Sequence, residues 1–368
     1  MPEDRANQLG RARHDPAGQT GQARPVVGYA LNVFAYDTLA ELWLVLERDA
    51  LAVKARVFPN EIFPVELRFS ERIVRELSSD CDQVARLKYF LDAHDLALIT
   101  VNGFVMPAFH GQPVKKRVYL PAWHESDARL RFTNSCVDLL CLFAPDLSVS
   151  VPFGALKPVT MADVAPNILK AGEHAARHDC VLALEPEPGL CVETTGEVIE
   201  FFERFVPDRL RQSLGVCFDL SHQLVQFENL VESLRQLRDA GIRVAKVHVS
   251  NAAELPVLQP FYNDSIYLHQ VCGVNVTGHR AFFSLDWPTE PPPPGITKFR
   301  CHYHLPVFPT AFASALSEVE QFLAGYRDAA PLLIETYTWP EQLRGGAGLT
   351  DSICRELEWV RSKIGLSA

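Results

Sequence analysis

The chain lacks the usual marks of several protein classes. Its nine cysteines form no CxxC pair, and an odd number cannot all pair with one another. That argues against a zinc ribbon and against a disulfide framework, and suits a reducing cytoplasm. Cys136, Cys141, Cys217 and Cys301 sit inside apolar runs, where a thiol behaves as a small hydrophobe. No uninterrupted apolar stretch approaches the roughly 20 residues of a membrane span, and the N-terminus has no apolar signal-peptide core. A net charge of -10 leaves no broad basic field for phosphate backbones, so nucleic acid is not an expected partner. The expectation is a cytoplasmic protein with a small-molecule partner, and a homo-oligomer remains open.

The composition of the 368 residues, 48% hydrophobic and 22% charged, is that of an ordinary globular chain with a large core. Residues 1–25 are polar, of mixed charge and punctuated by Gly and Pro, which predicts a flexible tail. From there on, short apolar runs alternate with amphipathic stretches such as PNILKAGEHAARHD. The runs at 27–34, 65–70, 97–103, 147–153, 181–186, 214–220, 244–250 and 332–338 are eight candidate strands. Eight strand and helix pairs are the number that closes a parallel (β/α)8 TIM barrel. An open doubly wound sheet is the competitor, but no GxGxxG turn follows the first strand. Residues 26–368 are thus expected to form one TIM barrel domain.

About 80 residues separate the seventh and eighth runs, far more than a helix and two loops need. An insertion over 251–310 is expected to overhang the barrel mouth, with KFRCHYHLPVF alternating as an additional strand. In such barrels the loops after the strands form the active-site face.

Four of the last runs end in a polar residue: VLALEPEP with Glu185, LGVCFDLSH with Asp219, VAKVHVS with His248 and LLIETYTW with Glu335. Singly, each reads as a helix cap or a core histidine. Together they lie on consecutive strands and would meet at one mouth, a mixed oxygen and nitrogen shell for one divalent metal ion. Such a shell favours Mn2+, Mg2+ or Co2+ and leaves Zn2+ open. His222, three residues after Asp219, is placed to contact substrate. Glu187 shares a side with Glu185 if the strand continues, and is either a neighbour of the site or a replacement ligand. Asn102, His110, Lys115 and Arg117 follow the third strand and would offer hydrogen bonds and a cationic site to an acidic ligand. His302 and His304 share a face of the inserted strand; an HxH pair can bind metal, but substrate contact or a structural role is favoured.

LxLEP, xDxxH, KVHVS and ExYxW, in this order, resemble the xylose-isomerase-like barrel superfamily of sugar isomerases and epimerases. The resemblance implies Glu185, Asp219, His248 and Glu335 as ligands of one divalent metal and His222 as the substrate-contacting histidine. A narrower resemblance joins VKARVFPNEIFPVELRFS, NGFVMPAFHGQPVKKRVYLPAW, LALEPEPG, GVCFDLSHQ, HYHLP and ETYTW to the EboE group of bacterial metabolite traffic proteins, linked to making or exporting specialised metabolites. That group is expected to carry Gln where this chain has His248. The combined expectation is a metal-dependent isomerase or epimerase of a small sugar-like or polyhydroxy metabolite, with Glu185 and Glu335 moving the proton. Its alternatives are a binding or traffic protein without turnover and a metal-dependent hydrolase on the same barrel.

Overall fold

The computed structural model describes residues 25–258, 266–337 and 348–366. Residues 1–24 of the expected tail and Trp339 of the ExYxW motif lie outside the described residues. Eight parallel strands close a barrel: β1 (Val27–Ala30), β2 (Phe63–Arg68), β3 (Leu96–Asn102), β4 (Ser148–Pro152), β5 (Val181–Glu185), β6 (Leu214–Asp219), β7 (Arg243–Val249) and, last in the chain, β12 (Leu332–Ile334). β1 pairs with β2 on one side and β12 on the other, which completes the ring. All eight expected strands are present, and this is a TIM barrel with helices outside it. β2, β4, β5 and β6 are buried along their whole length, as parallel strands covered on both faces must be.

The helices are cut to length by their caps. Thr160 and Asp163 form a reciprocal capping box at the start of Met161–Arg177, and Thr194 and Glu197 do the same for Thr195–Phe205. Two helices follow β2, Glu71–Ser79 and Cys81–Ala93. Asp80 between them is extended and caps the second through Asp82 N. No helix among the described residues is long and apolar enough to cross a membrane.

The long connection between β7 and β12 holds more than the single extra strand expected. β8 (Ala253–Leu255), β9 (Val271–Asn275), β10 (Arg280–Ser284) and β11 (Ile296–Cys301) form an antiparallel sheet in the order β10-β9-β11-β8. Ala253, Leu255, Val271, Phe299, Cys301 and Leu305 give it an apolar core of its own. Arg300 ties this sheet to the barrel: its guanidinium donates to Leu224 O at 3.1 Å, pairs with Glu254 and lies over the Phe227 ring. β11 stops at Cys301, so HYHLPVF leaves the sheet instead of extending it.

At Gly28 the barrel wall is tight, because a β-carbon there would lie 2.2 Å from the Pro64 carbonyl oxygen of the paired strand. Gly28→Ala is therefore expected to destabilise the fold by about 2–3 kcal/mol through backbone overpacking, read as a lower urea midpoint. An unchanged midpoint would show that β1 can shift without cost.

Candidate metal centre

Glu185 is the last residue of β5 and Asp219 the last of β6, His248 lies one residue before the end of β7, and Glu335 directly follows β12. Strand register sets them level: His248 is paired with Asp219 on one side and Leu333 on the other. One donor atom from each of the four lies within 4.8 Å of the others, and all four residues are buried. Nδ1 of His248 is 3.3 Å from Glu185 Oε1, 3.5 Å from Asp219 Oδ2 and 3.1 Å from Glu335 Oε2.

The surroundings hold these groups in place without satisfying them. Ser250 Oγ donates to Asp219 Oδ1 at 2.7 Å, and the same oxygen accepts His222 N at 3.1 Å, capping the short helix Leu220–Val225. Asp219 is therefore both a cap and a site residue, one oxygen for each. Asn32 Nδ2 donates to Glu335 Oε1 at 2.7 Å, with Asn102 Nδ2 at 3.4 Å from the same atom. Glu185 Oε2 and Asp219 Oδ2 are buried and accept no hydrogen bond. Two buried carboxylate oxygens without donors are costly unless a cation completes them. These residues fit a divalent cation.

Behind the imidazole lies a layer that the sequence reading missed. His248 Nε2 faces Glu66 Oε2 at 3.0 Å, and Glu66 Oε1 accepts Lys246 Nζ at 2.5 Å, all three side chains fully buried. Burial pushes the Glu66 carboxyl up, but Lys246 and His248 outweigh it and hold it down to about 2. Burial resists a charge on His248, yet its anionic surroundings raise its pKa well above the ordinary value. The carboxylates thus call for positive charge at Nδ1, which a proton or a metal ion supplies. A carboxylate behind a metal-facing histidine fixes its tautomer and ring plane. A signal for this layer existed in the alternation, since Lys246 is two residues before His248 on the same strand face. Asn32 carried no such signal. Cys217, placed among the small hydrophobes, also reaches this centre, its Sγ 3.5 Å from His248 Nδ1.

A cavity opens over Glu185 and Glu335. Its lining mixes the polar side chains of Asn102, Glu185, Glu187, His222, His302, His304 and Glu335 with the apolar Phe104, Val105, Phe109, Val118 and Leu268 and the rings of Tyr267, Tyr303 and Tyr337. Glu187 lies two residues beyond β5 and turns away from the cluster, accepting Tyr119 Oη at 2.6 Å and Gln270 Nε2 at 2.8 Å. It does not take the place of Glu185. Burial opposes its ionisation, but His302, His222 and Tyr119 hold its carboxyl down to about 2. His302 itself is pushed down to about 4, chiefly by burial.

Three expected residues do not line the cavity. His110 bonds to Asn32 O at 2.7 Å, Lys115 pairs with Asp286 of the insertion at 3.0 Å, and Arg117 lies 3.5 Å from Pro113 O. The expected cationic site for an acidic ligand is not formed there. Lys115 instead fastens the loop after β3 to the inserted segment.

No family model and no curated protein sequence matches the chain. Solved structures share its fold. A xylose isomerase domain protein from Planctomyces limnophilus is 15% identical over 93% of this chain and 98% of its own, with a TM-score of 0.53. A D-allulose 3-epimerase from Methylomonas sp. is 12% identical over 94% and 100%, with a TM-score of 0.55. A xylose isomerase-like TIM barrel protein from Mycobacterium smegmatis, in complex with magnesium, is 12% identical over 94% and 100%, with a TM-score of 0.52. The architecture is therefore a xylose-isomerase-like TIM barrel.

Removing the charge behind His248 tests the centre. Glu66→Gln is expected to weaken Mn2+ binding about 10- to 100-fold, measured by titration of the chelator-stripped protein. Undiminished affinity would mean that packing alone orients the imidazole.

Proposed function

We propose that this chain is a divalent-metal-dependent isomerase or epimerase acting beside the carbonyl of a small sugar-like or polyhydroxy metabolite. The observation that carries the reading is the convergence of Glu185, Asp219, His248 and Glu335, with two of their buried carboxylate oxygens unpaired. Three carboxylates and one imidazole favour Mn2+, Mg2+ or Co2+, and the single nitrogen leaves Zn2+ open. These four residues would hold the cation, which when bound would supply Lewis acidity toward the carbonyl oxygen and its developing negative charge.

The chain's own groups move the proton. Glu185 takes it from the carbon next to the carbonyl through whichever of its two oxygens the cation leaves free. Glu335, held by Asn32, stands at another strand end and delivers a proton from its own side, so that exchange of the two roles inverts the carbon. Return of the proton by a single carboxylate to the neighbouring carbon gives aldose and ketose interconversion. His222, anchored by Pro186 O at 2.8 Å, positions substrate oxygens directly or through a bound ion. The mixture of carboxylates, imidazoles and apolar or aromatic side chains in the cavity suits a ligand that carries both oxygens and carbon surface.

The neighbours named as an allulose epimerase and as a magnesium complex support the class of reaction and of cofactor. The resemblance of the sequence to EboE metabolite traffic proteins supports a substrate from specialised metabolism.

The test is deuterium uptake from D2O into a panel of ketoses and polyhydroxy ketones, with chelator-stripped protein reloaded with Mn2+. Exchange at the carbon beside the carbonyl is expected from the parent chain. Glu185→Gln and Glu335→Gln should each lower it about 10²- to 10⁴-fold while ligand-induced thermal stabilisation persists. A parent chain that binds metal and ligand without any exchange would be a carrier, and catalysis would be ruled out.

A further inference from the structure

The carboxylate cluster leaves three imidazoles beside it without chemistry of their own. His222 follows β6, and His302 and His304 come from the extended segment after β11. Their Nε2 atoms face one another, 3.2 Å apart between His222 and His302 and 2.9 Å between His302 and His304. All three rings line the cavity.

The opposite nitrogens decide what those Nε2 atoms carry. His222 Nδ1 is 2.8 Å from Pro186 O, His304 Nδ1 is 3.2 Å from Glu335 O, and His302 Nδ1 is 2.7 Å from Gln270 Oε1. The orientation of the Gln270 amide is fixed independently, because its nitrogen donates to Glu187 Oε1 at 2.8 Å and to Pro188 O at 3.2 Å, neither of which can donate. Every Nδ1 therefore meets an acceptor and carries a proton, and a ring in its neutral form turns a lone pair inward at Nε2. Three lone pairs at these separations repel. One added proton can serve one of the two short contacts well, not both. A cation serves all three, and rings held from behind by oxygen acceptors are the arrangement of metal-bound histidines.

We propose that His222, His302 and His304 form a second, nitrogen-rich metal site, suited to Zn2+ or Co2+ rather than Mg2+ or Ca2+. Asp219 Oδ2, which has no hydrogen bond, lies between the two donor sets, 3.5 Å from His248 Nδ1 and 3.9 Å from His304 Nε2. It is shared between them. The side of the second site toward the cavity is open to a water or a substrate hydroxyl, so His222 reaches substrate through the ion. None of this depends on the isomerase reading.

The full chain, stripped with chelator and titrated with Co2+ alone, is expected to take up two equivalents. One of them should give a visible absorption band from the nitrogen-rich site. His302→Ala and His304→Ala, checked for folding by circular dichroism, should each retain one equivalent and lose that band, whereas Glu185→Gln should keep it. A parent chain that binds a single equivalent surviving in His302→Ala overturns the second site and leaves the carboxylate cluster standing. A parent chain that binds two equivalents with the band unchanged in His302→Ala and His304→Ala overturns it as well.

Discussion

Three carboxylates buried around one imidazole set the condition that the rest of the molecule must meet. Taking each ion out of water costs several kcal/mol unless opposite charge and hydrogen bonds are placed against it. The barrel answers in layers. Deepest is the Lys246 and Glu66 pair, spanning the interior from β7 to β2. Above it is His248, pinned by Glu66 through Nε2, and above that are Glu185, Asp219 and Glu335 around Nδ1. Charge alternates upward until the last layer, where three carboxylates face one imidazole and call for positive charge from a proton or a metal ion.

Secondary structure enforces that stack at little extra cost. β5 and β6 terminate on the very residues that carry charge, and strand register sets His248 opposite Asp219. Asp219 spends one oxygen on the helix that follows, which fixes the carboxylate and brings His222 over the cavity. The carbonyl of Glu335 fixes His304 while its carboxylate faces His248, so the backbone and side chain of one residue orient both donor sets. The centre is held by residues that each serve two structural duties.

This division explains what could be read in the sequence. The strands were legible because each is a short apolar run, and Glu185, Asp219, His248 and Glu335 stood out because a polar residue ending such a run has few bland roles. Glu66 and Lys246 are as buried as the residues they support, but they lie inside their strands, where one sequence cannot say which polar partner waits across the barrel. The alternation through His302 and His304 predicts a strand, and the backbone instead leaves the sheet at Cys301 while both rings still line the cavity. A polar loop is least informative of all. His110 and Lys115 have the composition of ligand-binding residues, and whether such side chains turn inward depends on partners such as Asn32 and Asp286, far away in the chain.

The cavity is built partly from barrel strand ends and partly from loops, and this bears on how reaction and substrate are chosen. The acids and His248 belong to barrel strands and their ends, where moving any one of them disturbs a buried charge balance. Phe104, Val105, Phe109 and Val118 belong to the loop after β3, and Leu268, with the rings of Tyr267 and Tyr303, to the inserted segment. The Lys115 and Asp286 pair joins these two, making one wall out of separate pieces of chain. Its residues can change size or polarity with little effect on the strands, because loops on a rigid scaffold tolerate what a core does not. The barrel therefore constrains which bonds can be made and broken, and the wall constrains which molecule arrives with those bonds in place.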